Sequence, residues 1–143
     1  MLLYKNGRFY SEKVSFLLPD GFYFEEDPEI NCEHGFCAWS PGKDYLCSWN
    51  FYGDCYGTSA ELESWLSPEC GFTALVPVTP IALNGLSGHF LLYQNKQAQY
   101  YEARFDLGEG EELSFLAETR GKNLLGIVNS EEFKAALNGI QAE

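Results

Sequence analysis

The sequence predicts one α+β domain, a mainly antiparallel sheet with two helices packed on it. Three observations predict it. The chain has 143 residues, 45% of them apolar and 16% aromatic, which suits one domain with one core. Apolar residues alternate with polar ones along much of the chain, the period of a strand with one covered face. Only two segments, after Thr58 and after Ser130, join a helix-start signal to apolar residues at helical spacing. No internal repeat, low-complexity tract or linker divides the 143 residues.

From the start, Asn6-Gly7 sits between short apolar flanks and predicts a hairpin, because both residues tolerate the positive φ of a type I′ turn. Val14, Phe16 and Leu18 alternate up to Pro19-Asp20-Gly21, and Phe22 and Phe24 resume the alternation, so two strands flank that turn. Five acids crowd around Pro28 between Glu25 and Gly35, which reads as a loop. A brief strand over Phe36 to Trp39 ends at Ser40-Pro41-Gly42. A stronger one runs from Tyr45 to Tyr52, with Tyr45, Cys47, Trp49 and Phe51 on one face, predicted to be core. Thr58-Ser-Ala-Glu61 matches a capping box, and Leu62, Trp65 and Leu66 follow on one helical face as far as Pro68. Pro77 and Pro80 cannot donate to a central ladder, so Gly71 to Leu83 is expected as an edge or irregular strand. His89 to Gln94, Tyr101 to Leu107 and Leu113 to Ala117 read as successive antiparallel strands with one covered face, the last two joined at Gly108-Glu-Gly110. Ser130 caps a closing helix striped by Phe133, Ala136, Leu137 and Ile140.

Charge narrows the function classes. Nine Lys and Arg face 21 Asp and Glu, a formal charge of −12 that repels phosphate backbones and anionic membranes, so nucleic acid is not an expected partner. No run approaches the ~20 apolar residues of a membrane span. The opening MLLYKNGRFY lacks the apolar stretch of a signal peptide. The chain is therefore expected to be soluble and cytoplasmic, although an exported protein that had lost its leader would read the same way. Cys32, Cys37, Cys47, Cys55 and Cys70 make an odd set that favours reduced thiols; export would allow up to two disulfides.

Three segments carry a resemblance: Val14-Ser-Phe-Leu-Leu-Pro-Asp-Gly-Phe22, Leu83-Asn-Gly-Leu-Ser-Gly-His89 and Ser130-Glu-Glu-Phe-Lys-Ala-Ala-Leu137. A strand ending at a Pro-Gly turn before an aromatic, a glycine ahead of a central strand and a Ser-capped last helix resemble the PsbP-like family. That fold is shared by a photosystem extrinsic protein and a Ran-binding nuclear import factor, with bacterial members mostly of unknown function. The resemblance covers most of the chain and implies an adaptor or assembly role, with no catalytic residue to carry over. The stretch from Cys32 to Cys70 has no counterpart in it.

Local chemistry offers weaker leads. Cys32, His34 and Cys37 are ligand types that zinc takes, with Cys47 as a further approach, but the Cys-x4-Cys spacing lacks a second knuckle. A thiol nucleophile would need His34 or His89 beside it and a third group to orient the ring. Gly85-Leu-Ser87-Gly88 falls short of a nucleophile elbow, since His89 stands where the closing glycine belongs. Glu25/Glu26 and Glu111/Glu112 are neighbours in sequence and face opposite ways on a strand. The acidic loop lacks calcium-loop order, and no loop is built to cradle phosphate. Ten rings lie between Phe22 and Tyr56, enough for some to line a groove. The expectation is a non-catalytic binding or adaptor domain without a cofactor. It would recognise a protein or small apolar ligand at a sheet edge or an aromatic groove built from Trp39, Trp49, Tyr52 and Tyr56. The alternative is a small metal-binding or thiol-dependent enzyme using the Cys32 to Cys70 region.

Overall fold

The computed structural model describes residues 3–18, 21–24, 36–39 and 44–143. Strands β1 (Leu3–Lys5), β2 (Arg8–Tyr10) and β3 (Val14–Phe16) join β11 (Gln141–Ala142) in a small sheet ordered β1-β2-β3-β11. The main sheet contains β4 (Tyr23–Phe24), β5 (Phe36–Trp39), β6 (Tyr45–Tyr52), β7 (Thr73–Leu83), β8 (Leu86–Gln94), β9 (Gln99–Gly108) and β10 (Glu111–Thr119). Its order is β4-β5-β6-β10-β9-β8-β7, antiparallel throughout. The helices are α1 (Thr58–Glu63), extended by a 3-10 turn over Ser64–Leu66, then α2 (Leu124–Val128) and α3 (Glu131–Asn138). The architecture is α+β and mostly sheet.

Turn chemistry fixes the hairpins. Asn6-Gly7 takes φ 54° and 82°, Asn84-Gly85 takes 50° and 84°, and Glu109-Gly110 takes 55° and 77°. Two left-handed residues in succession give the twist that two antiparallel strands need. β7 is an edge strand of the main sheet, and its register slips between Ala74 and Val76 and again between Val76 and Thr79, around Pro77. The prolines that forbid a regular ladder thus fall at the edge.

One face of the main sheet holds the larger core. Phe16 stacks on Trp49 at 5.0 Å between ring centroids, Trp49 meets Phe115 at 5.3 Å, and Phe115 meets Phe133 of α3 at 5.6 Å. The β6 face predicted from its alternation belongs here, with Cys47 and Trp49 fully buried and Tyr45 nearly so. Ser130 caps α3 as expected, its side chain accepting from the Phe133 amide. The short α2, which buries Leu124 and Ile127 and has no cap signature, is absent from the sequence expectation.

Two local expectations need correction. α1 is capped by Gly57, not by Thr58, because the Thr58 hydroxyl is engaged by His89 at 2.7 Å; Glu61 reaches back instead to the Tyr56 amide. Nor do β9 and β10 have one covered face. On the opposite side α1 and the segment after it pack Leu62, Trp65, Leu66 and Phe72 on Leu91, Tyr93 and Tyr100, a second and smaller apolar cluster.

Candidate functional site

Beside that second cluster the sheet carries charge. Period two puts Glu102, Arg104 and Asp106 of β9 on the face away from the aromatic core. Their cross-strand partners on β10 are Leu116, Ser114 and Glu112. Glu102, Arg104, Glu112 and Ser114 are all buried.

Arg104 is the hub. Its Nε donates to Glu112 Oε1 at 3.0 Å, its Nη1 donates to Glu102 Oε2 at 3.3 Å, and its Nη2 lies 3.8 Å from Glu61 Oε2 on α1. The guanidinium carbon sits 4.5 Å from the centroid of the Tyr52 ring. Glu102 accepts in addition from Tyr93 Oη, Trp65 Nε1 and Ser114 Oγ at 2.9, 3.1 and 3.0 Å. A carboxylate with four donors is well compensated for its burial. Burial pulls the Arg104 pKa down, but the charges of Glu102 and Glu112 outweigh it and hold it above its usual value. Burial pushes the Glu112 carboxyl up against the opposing pull of Arg104, and the charges of Glu61 and Asp106 push it further. Tyr93 is raised by burial and then by Glu102 beside its hydroxyl.

Next to the hub lies an open cleft of about 410 Å³ between the 53–57 loop and the 108–110 turn. Cys55 N donates to Gly110 O at 2.9 Å and ties the two walls together. Thr58 and His89, joined at 2.7 Å, form part of the lining, as do Tyr56, Ser87, Asp106, Glu109 and Glu112. Asp106 and Glu112 are directly opposed across β9 and β10. Glu112 also lines a second hollow of about 280 Å³ beside Phe51, Tyr52 and Glu111. The Cys55 thiol is raised by burial and by the Glu112 charge, opposite to the shift that makes a thiolate nucleophile.

The predicted site residues do not converge. Trp49 is corrected: it has no exposed surface and stacks between Phe16 and Phe115, so it belongs to the core and is closed to a ligand. Tyr52 is 44% exposed and covers Arg104, while Tyr56 is 92% exposed at the cleft. Trp39 and Cys37 lie on β5, where they pair in register with Tyr23 and Ser48. Cys32 and His34 fall outside the described residues. Among the described residues no three His, Cys, Asp or Glu side chains are grouped so as to hold a metal ion. The hub was missed because its residues interleave with apolar ones and so read as solvent-facing. Opposite charges two apart, Glu102 and Arg104, were the available signal.

No protein-family model matches this chain. No curated protein matches it either. Among solved structures it is similar to a protein from Bacteroides thetaiotaomicron, with a TM-score of 0.54 at 13% identity. The match covers 91% of this chain and 45% of that one, so the chain spans less than half the length of its structural neighbour. A likeness at this identity shows the fold and carries no activity. Among the described residues no helix is long and apolar enough to cross a membrane.

Proposed function

We propose that this chain is a non-catalytic recognition domain whose ligand sits in the cleft between the 53–57 loop and the 108–110 turn. The carrying observation is the convergence there of the Thr58–His89 pair, the Ser87 hydroxyl and three carboxylates around about 410 Å³ of open space. Concave sites with a few placed polar groups are where small ligands and partner side chains bind. Hydroxyls, an imidazole and carboxylates are placed among the lining residues, which favours a polar ligand over the apolar one the ring count suggested. Strand addition at β7 is disfavoured by Pro77, Pro80 and the register slips that blunt this edge. The PsbP-like turn and cap residues support the same adaptor reading.

A fragment screen followed by amide chemical shifts tests the proposal. Hits should move the amides of Gly57, Gly88 and Gly110, all cleft residues. Hits that map elsewhere on the surface would sink it. A hydrolytic reading has one observation in its favour, the hydroxyl-to-imidazole contact at 2.7 Å. Thr58 is buried, however, and no third group orienting the His89 ring is found among the described hydrogen bonds. Equal turnover of activated esters by the wild type and by His89→Asn would dispose of it.

A further inference from the structure

Resting on that recognition reading, we propose that the cleft takes an organic cation, a lysine or arginine side chain presented by a basic segment of a partner protein. The wall carries Asp106, Glu109 and Glu112, and none of the described residues lining it is a lysine or arginine. Two neighbouring cations are already committed: Lys13, within reach of the Glu109 charge, donates to Glu111 at 2.7 Å, and Arg104 is engaged below the cleft. Arg104 directs its guanidinium at Glu112, Glu102 and Glu61 beneath Tyr52, so one positive charge answers three carboxylates and the surroundings stay negative.

The kind of cation follows from the spread of the acids. No three such ligands among the described residues are grouped tightly enough for a metal ion. Asp106 and Glu112 opposed across two strands, with Glu109 on the adjoining turn and the Ser87 hydroxyl in the same lining, suit an extended group with several donors. Tyr56 supplies the second independent feature. A ring 92% exposed at the rim buries nothing in its own fold, and its face is open to a guanidinium or to the stem of a lysine. The chain already uses this geometry internally, between Tyr52 and Arg104. A net charge of −12 steers a basic partner toward the site and repels acidic competitors. An occupant that meets both the cleft acids and the exposed Tyr56 ring extends out of the cleft, which favours a side chain on a polypeptide over a free amine.

Glu112 gives the inference a second readout. Its carboxyl is paired with Arg104 and stands in the field of Asp106 on β9, Glu61 on α1 and Cys55 in the preceding loop; Glu102 shares the same Arg104, and Tyr52 on β6 and His89 on β8 line the hollows beside it. Burial and the repulsion from Glu61 and Asp106 favour its protonated form, and a cation seated beside it favours the ionised form. Binding should therefore expel a proton and tighten as pH rises through the Glu112 titration.

The test titrates the labelled protein with a short acetylated peptide alternating glycine with lysine and arginine, with an acidic peptide of the same length, and with spermidine. The expected result is binding of the basic peptide alone, with shifts at Gly57, Gly88 and Gly110 and affinity falling with salt. The double variant Asp106→Asn with Glu109→Gln, which leaves the Arg104 contacts intact, should bind about tenfold more weakly. Tyr56→Ala should lose roughly threefold. Unchanged affinity in both variants, or equal shifts from the acidic peptide, would overturn the cationic occupant while leaving the recognition reading in place. Binding of spermidine with no response to the peptide would overturn the protein partner. If fragments, peptides and spermidine all leave the cleft amides unmoved, the recognition reading falls too.

Discussion

Replacing Arg104 by Met tests the buried hub directly. The side chain is only 7% exposed, and those of its partners Glu102 and Glu112 are 4% and 3% exposed. The change keeps most of the volume and removes the only guanidinium between two buried carboxylates. Breaking such a pair by removing one partner costs about 3–5 kcal/mol, because Glu112 is left buried without its cation while Glu102 keeps only its three neutral donors. Against a total stability of roughly 5–15 kcal/mol, the variant should still fold but melt roughly 10 °C or more below the wild type. The sign of the pH dependence is fixed by Glu112. Its folded pKa is already raised, so its favourable contribution is complete below the ordinary carboxylate value of about 4.3 and is lost as pH rises through the folded value. Losing Arg104 removes the strongest pull toward the ionised form and raises that carboxyl further. The gap between variant and wild type should therefore be widest near neutrality and narrow on acidification. Urea unfolding followed by circular dichroism at neutral and mildly acidic pH measures both. Adding Glu112→Gln to the variant should recover stability, although Glu112→Gln costs about 1–3 kcal/mol in the wild type. A cost below about 1 kcal/mol, or one that does not change with pH, would refute the reasoning, since the carboxylates would then have been compensated without Arg104.

Gly88→Ala should destabilise by several kcal/mol, because a Cβ there would lie 1.8 Å from Arg104 O and 2.8 Å from its carbonyl carbon, forcing β8 off β9; a thermal melt checks it. Leu62→Ala should cost about 2–5 kcal/mol and raise amide exchange along α1, as Leu62 is wholly buried and anchors that helix to Leu91 and Tyr93. Tyr45, Tyr93 and Tyr101 are each raised chiefly by burial, so their stabilising contribution is complete below the usual tyrosine value of about 10 and is lost above it. Tyrosinate absorbance should show these three of the nine tyrosines ionising only together with unfolding.

What the sequence made legible was everything decided within a few residues. Asn6-Gly7 and Gly108-Glu-Gly110 form the turns their φ tolerance predicts, Pro77 and Pro80 lie on an edge strand, and Ser130 caps α3. The alternation of Tyr45, Cys47 and Trp49 identified a core face for the same reason, since period two is a property of the strand itself. Where partners distant in sequence competed, local signals failed. Thr58 was a sound cap by composition, but His89, 31 residues away, takes its hydroxyl, and glycine takes over the cap. The short α2 is held by burying Leu124 and Ile127, with no cap signal to announce it.

The candidate site was hidden by the rule that served the core so well. Glu102, Arg104, Glu112 and Ser114 occupy the positions that alternation assigns to water, and nothing in β9 or β10 alone says that another element covers them. α1 and the 3-10 turn after it reach over Arg104 and Glu102 with Glu61 and Trp65. A cluster of one arginine with two buried acids and the half-buried Glu61 at its margin is weak evidence of stability, since apolar residues of similar volume commonly serve as well or better. What apolar residues would not supply is a rigid, negatively charged wall beside an open cleft. The guanidinium fixes Glu112 in place, and the unbalanced acids around it leave the field that the neighbouring Asp106 and Glu109 extend to the surface. The same reasoning separates the roles of two tyrosines that the ring count treated alike. Tyr52 lies over a cation the protein already owns, so its removal should lower stability, whereas Tyr56 lies over none, so its removal should lower only affinity.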